Sequence, residues 1–98
     1  MGIMILAILQ ARFSSTRLPG KVLKPILGKP MLLHQIERLQ NSQMIDKLVI
    51  ATSDDFSDDD IEKICLDNNV EVFRGSLDNV LDRFYQCAKY IILIMLFV

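Results

Sequence analysis

Residues 5–31 read ILAILQARFSSTRLPGKVLKPILGKPM. A short apolar run ends at Gln10 and gives way to a loop of small hydroxyl residues and cations that turns at Pro19-Gly20. The run suits a strand buried on both faces, because it is continuous in Ile and Leu and is stopped by polar residues and a turn dipeptide. We assign that strand to 3–10 and the loop to 11–29. No Asp or Glu precedes Glu37, so Arg12, Arg17, Lys21, Lys24 and Lys29 give residues 1–36 a charge of +5. The remainder carries −6, and the overall charge of −1 hides a basic loop beside an acidic body. Such asymmetry points to an anionic ligand held at one place.

Outward from the loop, the pattern alternates. GKPMLLHQIERLQNS predicts a helix with Pro30 in its first turn and Leu32, Ile36 and Leu39 on one face. DKLVIATS predicts a second strand. Ser57 is expected to cap a helix that begins with Asp58, Asp59 and Asp60 and turns Ile61, Ile64 and Cys65 inward. VEVF, at 70–73, reads as a third strand. A third helix from Ser76 or Leu77 should place Val80, Leu81, Phe84 and Cys87 on one side. Strand and helix alternate three times without hairpin signals, which is the pattern of an α/β domain with a parallel sheet and right-handed crossovers. In such sheets ligands bind beyond the carboxyl ends of the strands, which brings 10–21, Thr52-Ser53-Asp54 and Gly75-Ser76 to one rim.

Several functions are disfavoured. With 98 residues, 51% hydrophobic and 23% charged, the chain is one globular domain at most. Two distant cysteines and one histidine support neither a zinc site nor a disulfide scaffold, and suit reduced thiols in the cytoplasm. No cation precedes the first apolar run, so a signal peptide is not expected, and Leu6 breaks a myristoylation motif. The tail YIILIMLFV is too short to span a bilayer and is expected as a final buried strand or an abnormal ending. Only Phe13 is interleaved with the cations, which argues against nucleic acid. STRLPGKV lacks the first glycine of a Walker loop and has Val22 where the metal-binding hydroxyl belongs. SDDFSDDD lacks EF-hand spacing, and His34 sits among apolar helix residues, so no metal ligands are assigned.

The unbroken ARFSSTRLPGK, Ala11 to Lys21, resembles the signature A-R-x-x-S-T-R-L-P-G-K of the cytidylyltransferases that make CMP-sialic acid and CMP-Kdo. The resemblance continues through GKPMLLHQIERL, LVIATSDD and VFRGSLDNVLDRFYQCA, and looks closest to the spore-coat polysaccharide branch. It implies a Rossmann-like nucleotide-diphospho-sugar transferase fold, with 1–89 as the N-terminal, parallel-sheet part and 90–98 as an atypical apolar tail. It implies transfer of CMP from CTP to a sugar with release of pyrophosphate. Arg12 and Lys21 would grip the triphosphate and carry the catalytic role. Arg17 would contact phosphate or order the loop; Ser15 belongs to the same loop, and Gln10 and Ala11 lie where the strand meets the nucleotide. Ser76 and Arg83 would approach base and ribose, although on residue type alone Arg83 reads equally well as a surface or ion-pairing residue. Fixed cations and Mg²⁺ suffice for displacement at the α-phosphorus, so no protein nucleophile is needed. Relatives hold Mg²⁺ with an aspartate after a later strand; this sequence has no such segment, and its tail contains no acid. The expectation is therefore a truncated or frameshifted, inactive chain whose apolar tail is buried as a strand or by self-association into a homo-oligomer; the alternative is a non-catalytic nucleotide-binding or interaction domain.

Overall fold

The computed structural model describes residues 5–14 and 19–96, with side chains through 92. Three strands form one parallel sheet: β1 (Leu6–Gln10), β4 (Lys47–Ser53) and β5 (Glu71–Gly75), with β4 at the centre. Gln10 pairs with Ala51, Thr52 with Arg74 and Ser53 with Gly75, so the carboxyl ends of all three strands lie along one rim. β4 is buried from Val49 to Ser53, as a strand covered on both faces must be.

Helix α1 (Met31–Gln40) and helix α2 (Asp59–Asp67) cover one face. Leu32, Ile36, Ile61 and Cys65 pack there against Ile50 and Val70. Helix α3 (Val80–Leu96) covers the other face, where Cys87 and Ile91 meet Val49 and Ala51. The odd-even alternation of β4 is therefore what divides the interior into two layers.

Four expectations need correction. The tail is no strand: helix α3 continues unbroken to Leu96. The inner stripe of α3 is Arg83, Cys87 and Ile91, at steps of four, while Val80, Leu81 and Phe84 are exposed. This helix is apolar on more than one side, so apolar spacing alone misplaced its face. The opening of the second helix also differs. Ser57 caps nothing; its N–H and hydroxyl both donate to Asp55, at 3.0 and 2.6 Å, across a 3₁₀ turn (Phe56–Asp58). Finally, the basic loop contains a small antiparallel hairpin, β2 (Pro25–Ile26) with β3 (Lys29–Pro30), and Pro30 precedes α1 rather than lying within it. Gly28 at φ 87 and Leu27 at φ 52 make the turn with a Leu-Gly dipeptide, which is not the Asn-Gly or Asp-Gly that ordinarily signals such a hairpin.

Candidate nucleotide site

Ala11 leaves β1 still bound to the sheet, its N–H donating to Ala51 O at 2.9 Å. The next peptides are held by a buried acid. Asp58 accepts from the Phe13 N–H at 2.6 Å, from the Ser53 N–H at 3.3 Å and from the Ser53 hydroxyl. The far arm of the loop returns to the same point, because the Gly20 N–H donates to Phe13 O at 2.7 Å. Gly20 has φ 78, and a Cβ there would stand 3.0 Å from the Phe13 ring. Glycine is therefore required both by backbone conformation and by contact. Ser15 and Arg17 lie outside the described residues.

Arg12 emerges from this clamp with its guanidinium half-buried, and Nη1 donates to Leu77 O at 2.9 Å. Arg83 reaches the same place from α3. It is 1% exposed; Nε donates to Gln10 Oε1 at 3.1 Å, and Nη1 donates to Ser76 O at 2.7 Å and to Leu77 O at 3.4 Å. Burial, and then the neighbouring Arg12 charge, hold the Arg83 pKa below its ordinary value, with Asp58 opposing. Neither arginine forms an ion pair with a carboxylate among the described residues. Two guanidinium groups sharing one carbonyl, one of them fully desolvated, make an electropositive rim that an anion would relieve.

Gln10, Arg12, Ser76 and Arg83 are thus joined in one network. Ser76 adds its hydroxyl, which accepts the Asn79 N–H at 3.1 Å and turns the chain into α3. Lys21 is not joined to that network. It is exposed at the start of a 3₁₀ turn (Lys21–Leu23) and lines a recess of about 380 Å³ with Phe13, Pro19, Gly20, Leu23 and Lys24.

Two supporting residues escaped the sequence reading. Asp58 is expected only as one of the charges that suit a helix N-terminus, yet it falls on the 58, 61, 65 stripe that is buried throughout. An acid in register with Ile61 and Cys65 was the available signal. Arg74 was not singled out. Its Nε donates to Ser53 O at 2.7 Å and its Nη2 to Asp55 O at 2.6 Å, while Nη1 pairs with Asp59 at 2.8 Å and Glu62 at 3.1 Å. Burial opposes its charge, but the bonds to Asp59 and Glu62 outweigh it and raise its pKa. Arg74 fixes the 53–55 turn from below, and through it the position of Asp58.

A parallel sheet carries a basic, small-residue loop and paired arginines at its carboxyl rim, an α/β arrangement suited to an anionic ligand. The cytidylyltransferase family profile matches residues 6–92, and the chain belongs to that family. It is 49% identical over 89 residues to the spore coat polysaccharide biosynthesis protein SpsF of Bacillus subtilis (strain 168), an alignment covering 87% of this chain and 37% of that protein. A solved cytidylyltransferase from Leptospira borgpetersenii serovar Hardjo-bovis (strain JB197) superposes with a TM-score of 0.81 at 39% identity, over 90% of this chain and 37% of that one. A CMP:2-keto-3-deoxy-manno-octonic acid synthetase solved with CTP superposes at 0.74 and 26% identity, over 91% and 36% respectively. The fold is the nucleotide-diphospho-sugar transferase fold, and this chain spans little more than a third of these relatives.

Among the described residues no helix is long and apolar enough to cross a membrane.

Proposed function

We propose that these residues form the triphosphate- and base-binding part of a CTP-dependent cytidylyltransferase that transfers CMP to a sugar for surface polysaccharide synthesis. The observation that carries the reading is the pair Arg12 and Arg83, unpaired with any described carboxylate and converging on Leu77 O at the carboxyl rim. In this proposal Arg12 and Lys21 neutralise the triphosphate from the two arms of the loop. Arg17 and Ser15 belong to the same grip, with Gln10, Ala11, Ser76 and Arg83 at the nucleoside. Fixed cations lower the barrier by stabilising charge on the transferring group and the departing pyrophosphate.

Mg²⁺ enters the proposal with the nucleotide. Among the described residues no group of three or more His, Cys, Asp or Glu is gathered, and Asp58 is already taken by three donors, so Mg²⁺ held here would rest on the nucleotide's own phosphates. Binding and turnover are separate parts of the proposal, and the 98 residues are expected to hold CTP without making CMP-sugar at an enzyme-like rate. Calorimetric titration with CTP, beside a pyrophosphate-release assay with Mg²⁺ and a sugar acid, tests both parts. Arg12→Ala should weaken CTP binding by about 1.5–3 kcal/mol, as expected for loss of a charge-assisted contact. Unchanged affinity would refute the role of Arg12, and sustained pyrophosphate release would refute the separation.

A further inference from the structure

We propose that Gln10 reads the nucleobase, and that Arg83 makes it a hydrogen-bond donor selective for a pyrimidine with an acceptor at N3. The proposal rests on the reading of this rim as a CTP site and deepens it.

One hydrogen bond in this rim has a fixed direction. A guanidinium N–H can only donate, so the Gln10 atom that faces Arg83 Nε at 3.1 Å must be the carbonyl oxygen. The two ends of a glutamine amide are otherwise hard to tell apart, but a partner that only donates decides the matter. Arg83 is in turn immobilised. It is 1% exposed, its Nη1 is bound to Ser76 O and Leu77 O, and Gly75 leaves room only for a hydrogen where a Cβ would stand 3.0 Å from Arg83 Cγ. The amide nitrogen of Gln10 is thereby assigned to the opposite end. It donates to no protein acceptor among the described residues. Gln10 is the last residue of β1, half-buried, at the strand end where the sheet meets the ligand crevice.

An amide NH₂ presented from this position selects among bases by chemistry. Cytosine has an acceptor at N3, and one amide hydrogen of Gln10 can be donated to it. Uracil places an N–H at position 3, so the amide would face donor to donor there and leave one hydrogen unmatched. A polar group left unmatched in a partly desolvated site is costly, which is how such sites discriminate between ligands of nearly equal size. Arg83 acts here as a positioning residue: it sets which end of Gln10 meets the base.

The test is the ratio of CTP to UTP affinity, measured by calorimetry with inorganic tripolyphosphate as a base-free probe, and with melting by circular dichroism to confirm that each variant is folded. The wild-type chain should favour CTP by about tenfold or more. Gln10→Met keeps the length and removes the amide, and should bring the ratio close to one while leaving tripolyphosphate affinity unchanged. Gln10→Glu still accepts from Arg83 but offers an acceptor to the base, so the preference should move toward UTP. Retention of the CTP preference in folded Gln10→Met would overturn the proposal and leave the site reading intact, as would equal binding of CTP and UTP by the wild type. Failure of the wild type to bind CTP, UTP and tripolyphosphate alike would remove the site reading itself, and the proposal with it.

Discussion

Phe13 and Asp58, forty-five positions apart, are joined by a 2.6 Å hydrogen bond from the Phe13 N–H to the buried carboxylate. The same carboxylate takes both donors of Ser53 at the end of β4. The loop that carries Arg12 is therefore fastened to the centre of the sheet. Asp58→Ala would leave a part-buried N–H and a buried hydroxyl without partners, at a cost of about 3 kcal/mol. Asp58→Asn should recover only part of this, because one amide oxygen cannot serve both Phe13 and Ser53. Urea denaturation measures the difference, and a loss below about 1 kcal/mol for the alanine variant would show that the clamp is not what holds the loop.

Gly75 lies directly behind Arg83. An added Cβ would stand 3.0 Å from Arg83 Cγ and 3.1 Å from the Phe73 ring, so Gly75→Ala must displace one of them. We expect about 1–3 kcal/mol of destabilisation from overpacking. CTP affinity should fall with it, since the guanidinium moves with its stem. Wild-type affinity in the folded variant would mean that Arg83 is not held in place from this side.

Arg74 combines two kinds of contact that a conservative change separates. Arg74→Lys can keep a cation near Asp59 and Glu62 but cannot also bond the carbonyls of Ser53 and Asp55. If the carbonyl bonds dominate, the lysine variant should lose about 2 kcal/mol, with little dependence on salt. Recovery of wild-type stability by lysine would assign the role to the exposed ion pairs instead.

Both thiols are buried, and burial pushes Cys65 and Cys87 up to about 11 from an ordinary 9.0. The folded state therefore keeps protons that the unfolded chain has released between those values. Their stabilising contribution is fully present below about 9 and is lost as pH rises toward about 11. A chain carrying Cys65→Ala and Cys87→Ala should start less stable, from the cavities, and lose less over that interval. Equal slopes in the two proteins would contradict the shift.

Much of the architecture was legible in the sequence because buried parallel strands and amphipathic helices have strong signals. DKLVIATS became β4 within a residue, and Leu32 and Ile36 face inward as their spacing requires. What was not legible is the burial of two charges. Asp58 and Arg83 are charged residues on buried stripes, and a reading based on apolar periodicity sends charge to the surface. Nearby Ser53, Ser76 and Leu77 satisfy part of each group, but the partners that complete them, Phe13 for Asp58 and Gln10 for Arg83, lie 45 and 73 positions away. The end of the chain misled differently, since a continuous run of Ile, Leu and Met is compatible with a strand or with a helix apolar on several sides. Within the site, the motif brought attention to Arg12 and Lys21 together, whereas the fold links Arg12 to Arg83 and leaves Lys21 on the other arm.

The central claim is that nucleotide binds across the rim between the loop arms and the start of α3. Amide chemical-shift mapping during CTP titration of the isotopically labelled chain tests this most directly, because it reports position without requiring turnover. The account predicts that the largest shifts fall on Ala11, Arg12, Phe13, Gly20, Lys21, Ser76 and Leu77, with α1 and the far end of the sheet nearly unmoved. Shifts centred on the opposite end, around Asp46, Lys47 and Asn69, or no shifts at millimolar CTP, would contradict it.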